Sequence, residues 1–226
     1  VALSYPRDRI LVTGHPHYDH MYDVAETLHH GDRNALRDRL FPGLAEEKKV
    51  VVFASVLSTG LNPAQFLRSD DYTMTGRGRS TYRTEIVMEE FLDAIQLTKP
   101  RPYTVLRLHP KQTPEEYAEY LKEFDLVSNG GAPFELIYAA DLVVGLATML
   151  LIESAILGTP CLAIVPKATE LDSLPTIRSG ITPCVTTREQ LRSTLPALLR
   201  DASRDAKKNM GHVIVHGSSE RIQQSI

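Results

Sequence analysis

The chain has 226 residues, of which 42% are hydrophobic and 23% are charged, and its formal net charge is −3. This balance is typical of a globular protein and argues against a dedicated nucleic-acid-binding surface. No apolar run approaches the roughly 18 residues of a membrane span, and no signal-peptide pattern is present. Cys161 and Cys184 lie in or near apolar stretches, which predicts buried free thiols in a reducing cytoplasm. The chain lacks an initiating Met, which suggests a fragment or a processed chain.

Strand and helix patterns alternate along the chain. The predicted strands are 9–13, 49–55, 103–108, 125–128, 141–144, 161–165 and 184–185. The predicted helices are 22–40 with a break at 29–32, 84–97 capped by Thr84, 113–124 capped by Thr113, 133–139, 149–157, 187–199 capped by Thr187, and 216–226. Residues 58–80 show no periodicity and predict a long loop. This alternation predicts an α/β fold, with a parallel sheet that helices cover on both faces.

Residues 138–166 read as one complete strand–helix–strand unit. Ligands of parallel sheets bind outside the carboxyl ends of the strands, where helix amino termini point. The turn from Gly145 to Thr148 is therefore a candidate ligand site, and Glu153 lies one turn further along the helix. Gly145 would let the chain approach a ligand closely.

Three stretches together resemble the C-terminal half of GT-B sugar transferases and their relatives. They are YTVLRLHPK (103–111), DLVVGLATMLLIESAILGTP (141–160) and GSSERIQQSI (217–226). The group includes bacterial capsule and lipopolysaccharide glycosyltransferases, CDP-glycerol-type polymerases and UDP-N-acetylglucosamine 2-epimerases. The resemblance implies a Rossmann-like nucleotide-sugar-binding domain over 45–226, one half of a GT-B fold. Residues 1–44 would then be an interdomain segment with one strand and one helix.

The resemblance implies an enzyme that transfers a sugar or polyol phosphate from a nucleotide-activated donor to a glycan or lipid-linked acceptor. The setting would be bacterial surface polysaccharide synthesis in the cytoplasm. No cofactor is expected beyond the donor, and nucleic acid is not an expected partner. The acceptor-binding N-terminal Rossmann-like domain would lie outside this chain, which predicts that the isolated chain is nearly inactive. Peripheral association of the full protein with a membrane is also expected.

The same resemblance assigns roles to individual residues. Thr148 would contact the donor phosphate and Glu153 the ribose, while a protonated His109 would offset charge on the leaving phosphate. Further candidates for substrate binding are Lys111, Arg107, Ser55 and Ser58. The plainer alternatives are that Thr148 only caps its helix, that Glu153 is solvated or paired in the core, and that His109 only fixes a turn.

Five other interpretations remain open. An epimerase or hydrolase of the same fold would act on the same class of donor, and a non-catalytic module would only bind it. The spacing of His15, His17, Asp19 and His20 matches a metallo-hydrolase motif that binds two zinc ions, although a chance match or adventitious metal binding is the favoured explanation. His212 and His216 share a helical spacing that could also hold a metal. The loop 75–79, followed by Arg83, is either an anion-binding nest or a solvated basic loop.

Overall fold

Six parallel strands form the centre of the protein in a computed structural model that describes residues 6–45, 47–57, 62–201 and 216–225. The strands are β1 (Val50–Ala54), β2 (Tyr103–Arg107), β3 (Leu126–Ser128), β4 (Leu142–Gly145), β5 (Cys161–Ile164) and β6 (Cys184–Val185). They are ordered β3-β2-β1-β4-β5-β6, which is the Rossmann arrangement of two halves that meet between β1 and β4. The predicted α/β fold is confirmed.

Eight α-helices accompany the strands within the described residues. They are α1 (Pro16–His30), α2 (Arg33–Leu40), α3 (Arg83–Leu97), α4 (Phe134–Ala139), α5 (Met149–Ile156), α6 (Pro175–Arg178), α7 (Arg188–Arg200) and α8 (Ser218–Gln224). Helix α7 begins at the predicted cap: the Thr187 hydroxyl accepts a hydrogen bond from the Gln190 amide, and the Gln190 side chain reaches back. Such a reciprocal capping box satisfies backbone donors that a helix start otherwise leaves unpaired. None of the described helices combines the length and hydropathy needed to cross a bilayer.

The sheet is apolar on both faces because helices cover both. Alternate residues of β1 belong to different cores: Val50 and Val52 pack with α1, α2, α4 and α5, whereas Val51 and Phe53 pack with α3 and α7. A strand with both faces buried explains the continuous apolar run of β1. The predicted covering of the sheet by helices on both faces is confirmed.

Three local predictions are wrong. Residues 9–13 are not a strand, and Ile10, Leu11 and Val12 are 54%, 62% and 82% exposed; a strand needs a neighbour for its backbone hydrogen bonds, and no described strand lies beside them. Helix α3 starts at Arg83, so Thr84 lies inside it. Residues 113–124 form two short 3₁₀ turns, Pro114–Tyr117 and Leu121–Glu123, instead of one α-helix.

Asp141, at the start of β4, lies in a buried polar cluster. Its Oδ2 accepts hydrogen bonds from the Val50 amide at 2.8 Å and from Arg37 at 3.1 Å, and its Oδ1 accepts one from Arg33 at 3.1 Å. Burial alone would raise the pKa of Asp141, but the Val50 amide and the two guanidinium groups together hold it below its usual value. The cluster therefore fixes β4 against β1 and determines where the turn after β4 lies.

Candidate functional site

The carboxyl ends of β2, β1 and β4 lie side by side. Ala54 pairs with Arg107 of β2 on one side and with Gly145 of β4 on the other. Neighbouring strands are about 4.8 Å apart, so the turns that follow β2 and β4 start roughly 10 Å from each other. This edge contains the point where the strand order reverses, and it brings the predicted site residues of both turns together.

Gly145 is required by the sheet itself. A Cβ atom at this position would lie 2.8 Å from the carbonyl oxygen of Ala54 and 3.4 Å from its Cβ. The absence of a side chain therefore lets β4 pack against β1, and Gly145 is buried. The contact with Ala54 explains the glycine without a ligand, so close approach of a ligand is not needed to account for it.

Thr148 stands at the amino-terminal end of α5. Its backbone is extended, with φ −118° and ψ 151°, and its side chain makes no capping hydrogen bond. The residue is half-buried and the following Met149 is exposed. The plainer alternative, in which the hydroxyl caps the helix, does not describe this structure. A hydroxyl and the first amides of α5 thus lie together at the edge of the sheet.

Glu153 is buried and paired. Its Oε1 lies 2.8 Å from His17 Nε2 on α1, and the residue is only 8% exposed. Burial and, to a lesser degree, the Glu153 charge raise the pKa of the neighbouring Tyr18. A ribose contact at Glu153 would therefore have to use the other carboxylate oxygen or displace His17.

Most polar groups of the turn after β2 form hydrogen bonds within the protein. The Ser55 hydroxyl donates to Gln112 Oε1 at 2.6 Å, and the His109 amide donates to Ser55 Oγ and to Gln112 Oε1, each at 3.0 Å. The Gln112 amide group donates to the Val56 carbonyl and to the Tyr117 hydroxyl. Ser55 is buried, so in this structure its hydroxyl serves the turn and is not presented to a ligand.

The His109 ring is half-buried, and its Nδ1 accepts a hydrogen bond from the Lys111 amide at 3.2 Å. Burial, and to a lesser degree the Lys111 charge, lower the pKa of His109. The protonated ring that the resemblance implies is thus disfavoured. With Nδ1 as an acceptor, the neutral ring carries its proton on Nε2, which leaves one N–H donor for a ligand. Lys111 itself is exposed at this edge.

Arg107 points into the protein at the β2–β3 side of the sheet. Its guanidinium donates to the Ser128 hydroxyl at 3.0 Å and to the carbonyl oxygens of Gly130 and Gly131 at 2.6 and 2.5 Å. The residue is buried. Its contacts hold the turn after β3, so in this structure its charge serves that turn. Ser58 and His212 lie outside the described residues.

The loop 75–79 does bind anions, but they are carboxylates of α3. The Gly76 amide donates to Glu90 Oε1 at 2.9 Å, and the Arg77 amide donates to Glu89 Oε2 at 2.5 Å. Arg188 of α7 forms two hydrogen bonds with Glu90, each 2.7 Å long. Both glutamates are buried. Two backbone amides therefore anchor the loop to the core and bind internal carboxylates instead of an external anion, while Arg77, Gly78 and Arg79 remain exposed.

The histidine-rich segment 15–20 does not form a metal site in this structure. His15 Nδ1 accepts a hydrogen bond from the His17 amide, and His17 faces Glu153. Asp19 accepts hydrogen bonds from the Ser219, Gly217 and Ser218 amides at the start of α8, and these hold the pKa of Asp19 far below its usual value. Within the described part of the chain, no three His, Cys, Asp or Glu side chains are close enough to hold a metal ion.

Two adjoining cavities of about 340 and 370 Å³ lie at the carboxyl edge of the sheet. Residues after β1 and β4, including Val56 and Leu146, line the first cavity, and Lys167 lines the second. An ion pair between Arg83 and Glu170 lines both cavities. Sequence reasoning missed Lys167 and Glu170, although both closely follow the buried strand β5. The end-of-strand rule that selected His109 would also have selected them.

Solved structures with the same fold are informative about architecture. The chain matches the wall teichoic acid polymerase TagF (H548A variant) with a TM-score of 0.53 and 15% identity, over 99% of this chain and 53% of that one. It matches UDP-GlcNAc 2-epimerase from Methanocaldococcus jannaschii, solved with UDP-GlcNAc and UDP, with a TM-score of 0.63 and 16% identity. The Neisseria meningitidis epimerase, bound to UDP-GlcNAc, gives 0.62 and 15%. Both epimerase matches cover 98% of this chain and 55% of the other.

No protein-family model matches the sequence, and no significant match is found among curated proteins. The chain spans about half the length of the solved structures it matches. At such low identity these likenesses establish the fold alone. The strand order and the structural likenesses together establish that the chain has the Rossmann-like architecture of one half of a GT-B fold.

Proposed function

We propose that this chain is the donor-binding domain of a GT-B-type enzyme that transfers a sugar or polyol phosphate from a nucleotide-activated donor. The observation that carries the proposal is the turn after β4, at the reversal of strand order. There the Thr148 hydroxyl makes no capping bond, and helix α5 begins directly after it. Backbone amides at a helix start and a nearby hydroxyl are donors suited to a phosphate group.

His109 supports transfer in this proposal through a hydrogen bond. A neutral ring with its proton on Nε2 can donate to the leaving phosphate as negative charge develops on it. The turns bearing His109 and Thr148 start roughly 10 Å apart, a separation that a nucleoside diphosphate can bridge. The donor phosphates would thus lie between the two turns, with the ribose toward Glu153.

The acceptor is proposed to bind mainly to a second domain. The matched structures are about twice as long as this chain, and Ile10, Leu11 and Val12 expose a continuous apolar run just before α1. We therefore expect the chain alone to bind donor but to transfer little. Efficient transfer by the isolated chain would contradict this division of labour. The acceptor is proposed to be a glycan or lipid-linked glycan, as the resemblance implies.

A 2-epimerase or hydrolase acting on the same donor would need a reactive carboxylate in the cleft. Glu170 lines the cleft, but its charge is paired with Arg83. This pairing favours transfer over carboxylate-assisted chemistry. Product analysis of the full protein separates the two, because an epimerase or hydrolase converts the donor without any acceptor.

Donor binding can be tested by thermal unfolding with UDP-, CDP-, GDP-, ADP- and CMP-linked sugars or polyols. A ligand at about 100 times its Kd stabilises the folded state by about 2.7 kcal/mol. Thr148→Val should weaken binding of the preferred donor about tenfold. Thr27→Val, on the exposed face of α1, is the matched control and should bind as the wild type does. If no donor raises the melting temperature, or if Thr148→Val binds normally, the proposal is wrong.

A further inference from the structure

A third cavity, larger than the two at the carboxyl edge, lies at the opposite edge of the sheet. Its volume is about 560 Å³, within the range of pockets that bind small organic molecules. It is bounded by the residues just before β1 and β2 and by the ends of α3 and α7. β1 has five residues, so the two edges are roughly 16 Å apart. The proposed donor site cannot extend into this cavity, which is called the amino-edge pocket below.

The walls of the amino-edge pocket are largely apolar. Pro100 and Pro102 form one side, before β2, and Pro196 and Leu199 of α7 form another. Proline rings add apolar surface that loses little conformational freedom when a ligand binds. The walls therefore suit a flat or compact apolar group.

Cations surround this apolar floor. Lys48, Lys49, Lys99, Arg101 and Arg200 all line the amino-edge pocket, together with a single carboxylate among the described lining residues, Glu47. The chain as a whole carries a net charge of −3. The positive charge around the pocket is thus opposite in sign to the net charge of the chain. A concave surface concentrates the electrostatic potential of these charges.

Part of that charge has a structural explanation. Arg101 is paired with Asp125 at 2.9 Å, and the ammonium of Lys48 lies 5.8 Å from the centre of the Tyr103 ring. The carboxyl-terminal ends of α3 and α7 each contribute about half a negative charge, which together offset about one cation. After Glu47, Asp125 and the helix ends are counted, about two positive charges of the described residues remain unmatched.

The unmatched charges belong to side chains without partners in the described structure. Among the described residues, the side chains of Lys49, Lys99 and Arg200 form no hydrogen bond or ion pair. Lys49, Lys99 and Arg200 are exposed, so they can reach a ligand at the mouth of the pocket. A ligand that matches this site carries about two negative charges on one end and an apolar group on the other.

We propose that the amino-edge pocket binds a phosphate monoester whose organic part is apolar or aromatic. Such a group carries between one and two negative charges near neutral pH and offers three acceptor oxygens. The phosphate would contact Lys49, Lys99 and Arg200, and the apolar part would lie against Pro100, Pro196 and Leu199. This site is separate from the proposed donor site, so either can exist without the other.

The test uses 1-naphthyl phosphate as a soluble probe and vesicles with or without phosphatidic acid as a lipid source of the same group. The chain contains no tryptophan, so naphthyl fluorescence anisotropy reports binding without a tryptophan background. Lys49→Gln with Lys99→Gln should weaken binding by about tenfold for each cation removed. Lys122→Gln with Arg192→Gln removes two cations that do not line the pocket and should leave binding unchanged.

Further measurements decide the proposal. Ala45→Phe adds bulk at the pocket wall without changing charge, and should abolish binding if the ligand enters the cavity. Loss of binding in the lysine variant supports the site. Whether the loss is seen with the soluble probe or with phosphatidic acid vesicles shows whether the phosphate monoester is a soluble molecule or a lipid headgroup. Absence of binding by both ligands at millimolar concentration, or equal losses in both double variants, overturns it. Circular dichroism of each variant confirms that the chain is folded.

Discussion

Two glycine-containing turns, 75–79 and 145–148, were both candidate ligand sites in the sequence, and they differ in what their amides bind. In the loop 75–79, the amides of Gly76 and Arg77 are bound by buried carboxylates of α3. In the turn 145–148, the Thr148 hydroxyl caps nothing and no carboxylate of the described residues bonds the first amides of α5. The comparison shows that a turn with anion-binding groups is a ligand candidate only when the protein has not already supplied the anion.

The largest expected effect concerns Asp141, which fixes the strand leading to the second turn. Asp141→Ala leaves Arg37 buried without its partner carboxylate, and should lower the free energy of unfolding by about 4 kcal/mol. Because the folded pKa is lowered, this contribution is complete above the usual aspartate pKa near 4 and is lost as the pH falls through the folded pKa. Urea unfolding at several pH values measures it.

The difference between Asp141→Ala and the wild type should therefore shrink in acid. Asp38→Ala, an exposed change on α2, is the control and should change stability by less than about 0.5 kcal/mol. A difference that is constant from pH 7 to acid would show that the ionised carboxylate is not the stabilising species.

The next effect concerns the first turn. Glu90→Gln replaces the charge that holds Gly76 and Arg188, and should cost about 3 kcal/mol because the guanidinium loses its ion pair. It should also release the loop, which trypsin would then cleave at Arg77 or Arg79. Glu119→Gln, at an exposed position, is the control. If the loop of the Glu90 variant resists trypsin as the wild type does, the internal carboxylate does not anchor it.

Gly145→Ala tests whether the glycine of the second turn serves the sheet or the ligand. The added Cβ would meet the Ala54 carbonyl at 2.8 Å, so stability should fall by about 2 kcal/mol. Donor affinity should change little under conditions in which the variant is folded. Gly31→Ala, whose Cβ would meet nothing closer than 3.4 Å, is the control. Normal stability with a loss of donor affinity would show that Gly145 serves ligand binding instead of the sheet.

The smallest expected change in stability, that of Thr148→Val, tests most directly whether the two turns differ. Thr148→Val should change the free energy of unfolding by less than about 0.5 kcal/mol, because the hydroxyl makes no capping bond. Thr187→Val, which removes a hydroxyl that does cap a helix, should cost about 1 kcal/mol. Thermal and urea unfolding measure both. Equal losses of stability in the two variants would mean that Thr148 is also a cap. The turn 145–148 would then no longer be a candidate ligand site.

The fold was predictable where the signal is local. Continuous apolar runs identified β1, β2, β4 and β5, and the capping pattern around Thr187 identified the start of α7. The strand predicted over 9–13 failed because a strand also needs a neighbour, which a short pattern cannot reveal. The 3₁₀ turns of 113–124 differ from the predicted helix even though its Thr113–Glu116 capping box is formed.

The candidate site was predictable in place and less so in detail. The end-of-strand rule located the turns that carry His109 and Thr148, because the carboxyl ends of parallel strands share one edge. It could not show that Ser55 is bound by Gln112, or that Glu153 is bound by His17, which is 136 positions away. Such pairings depend on tertiary packing and leave no pattern in the sequence.

The lengths of the outer strands have a consequence for assembly. Within the residues that the structure describes, the sheet ends in β3, with three residues, and in β6, with two. Edges this short offer few unpaired backbone groups for another chain to join. Copies of this protein are therefore poor templates for one another's sheets, and any stable complex it forms should be built on side-chain surfaces of helices and loops.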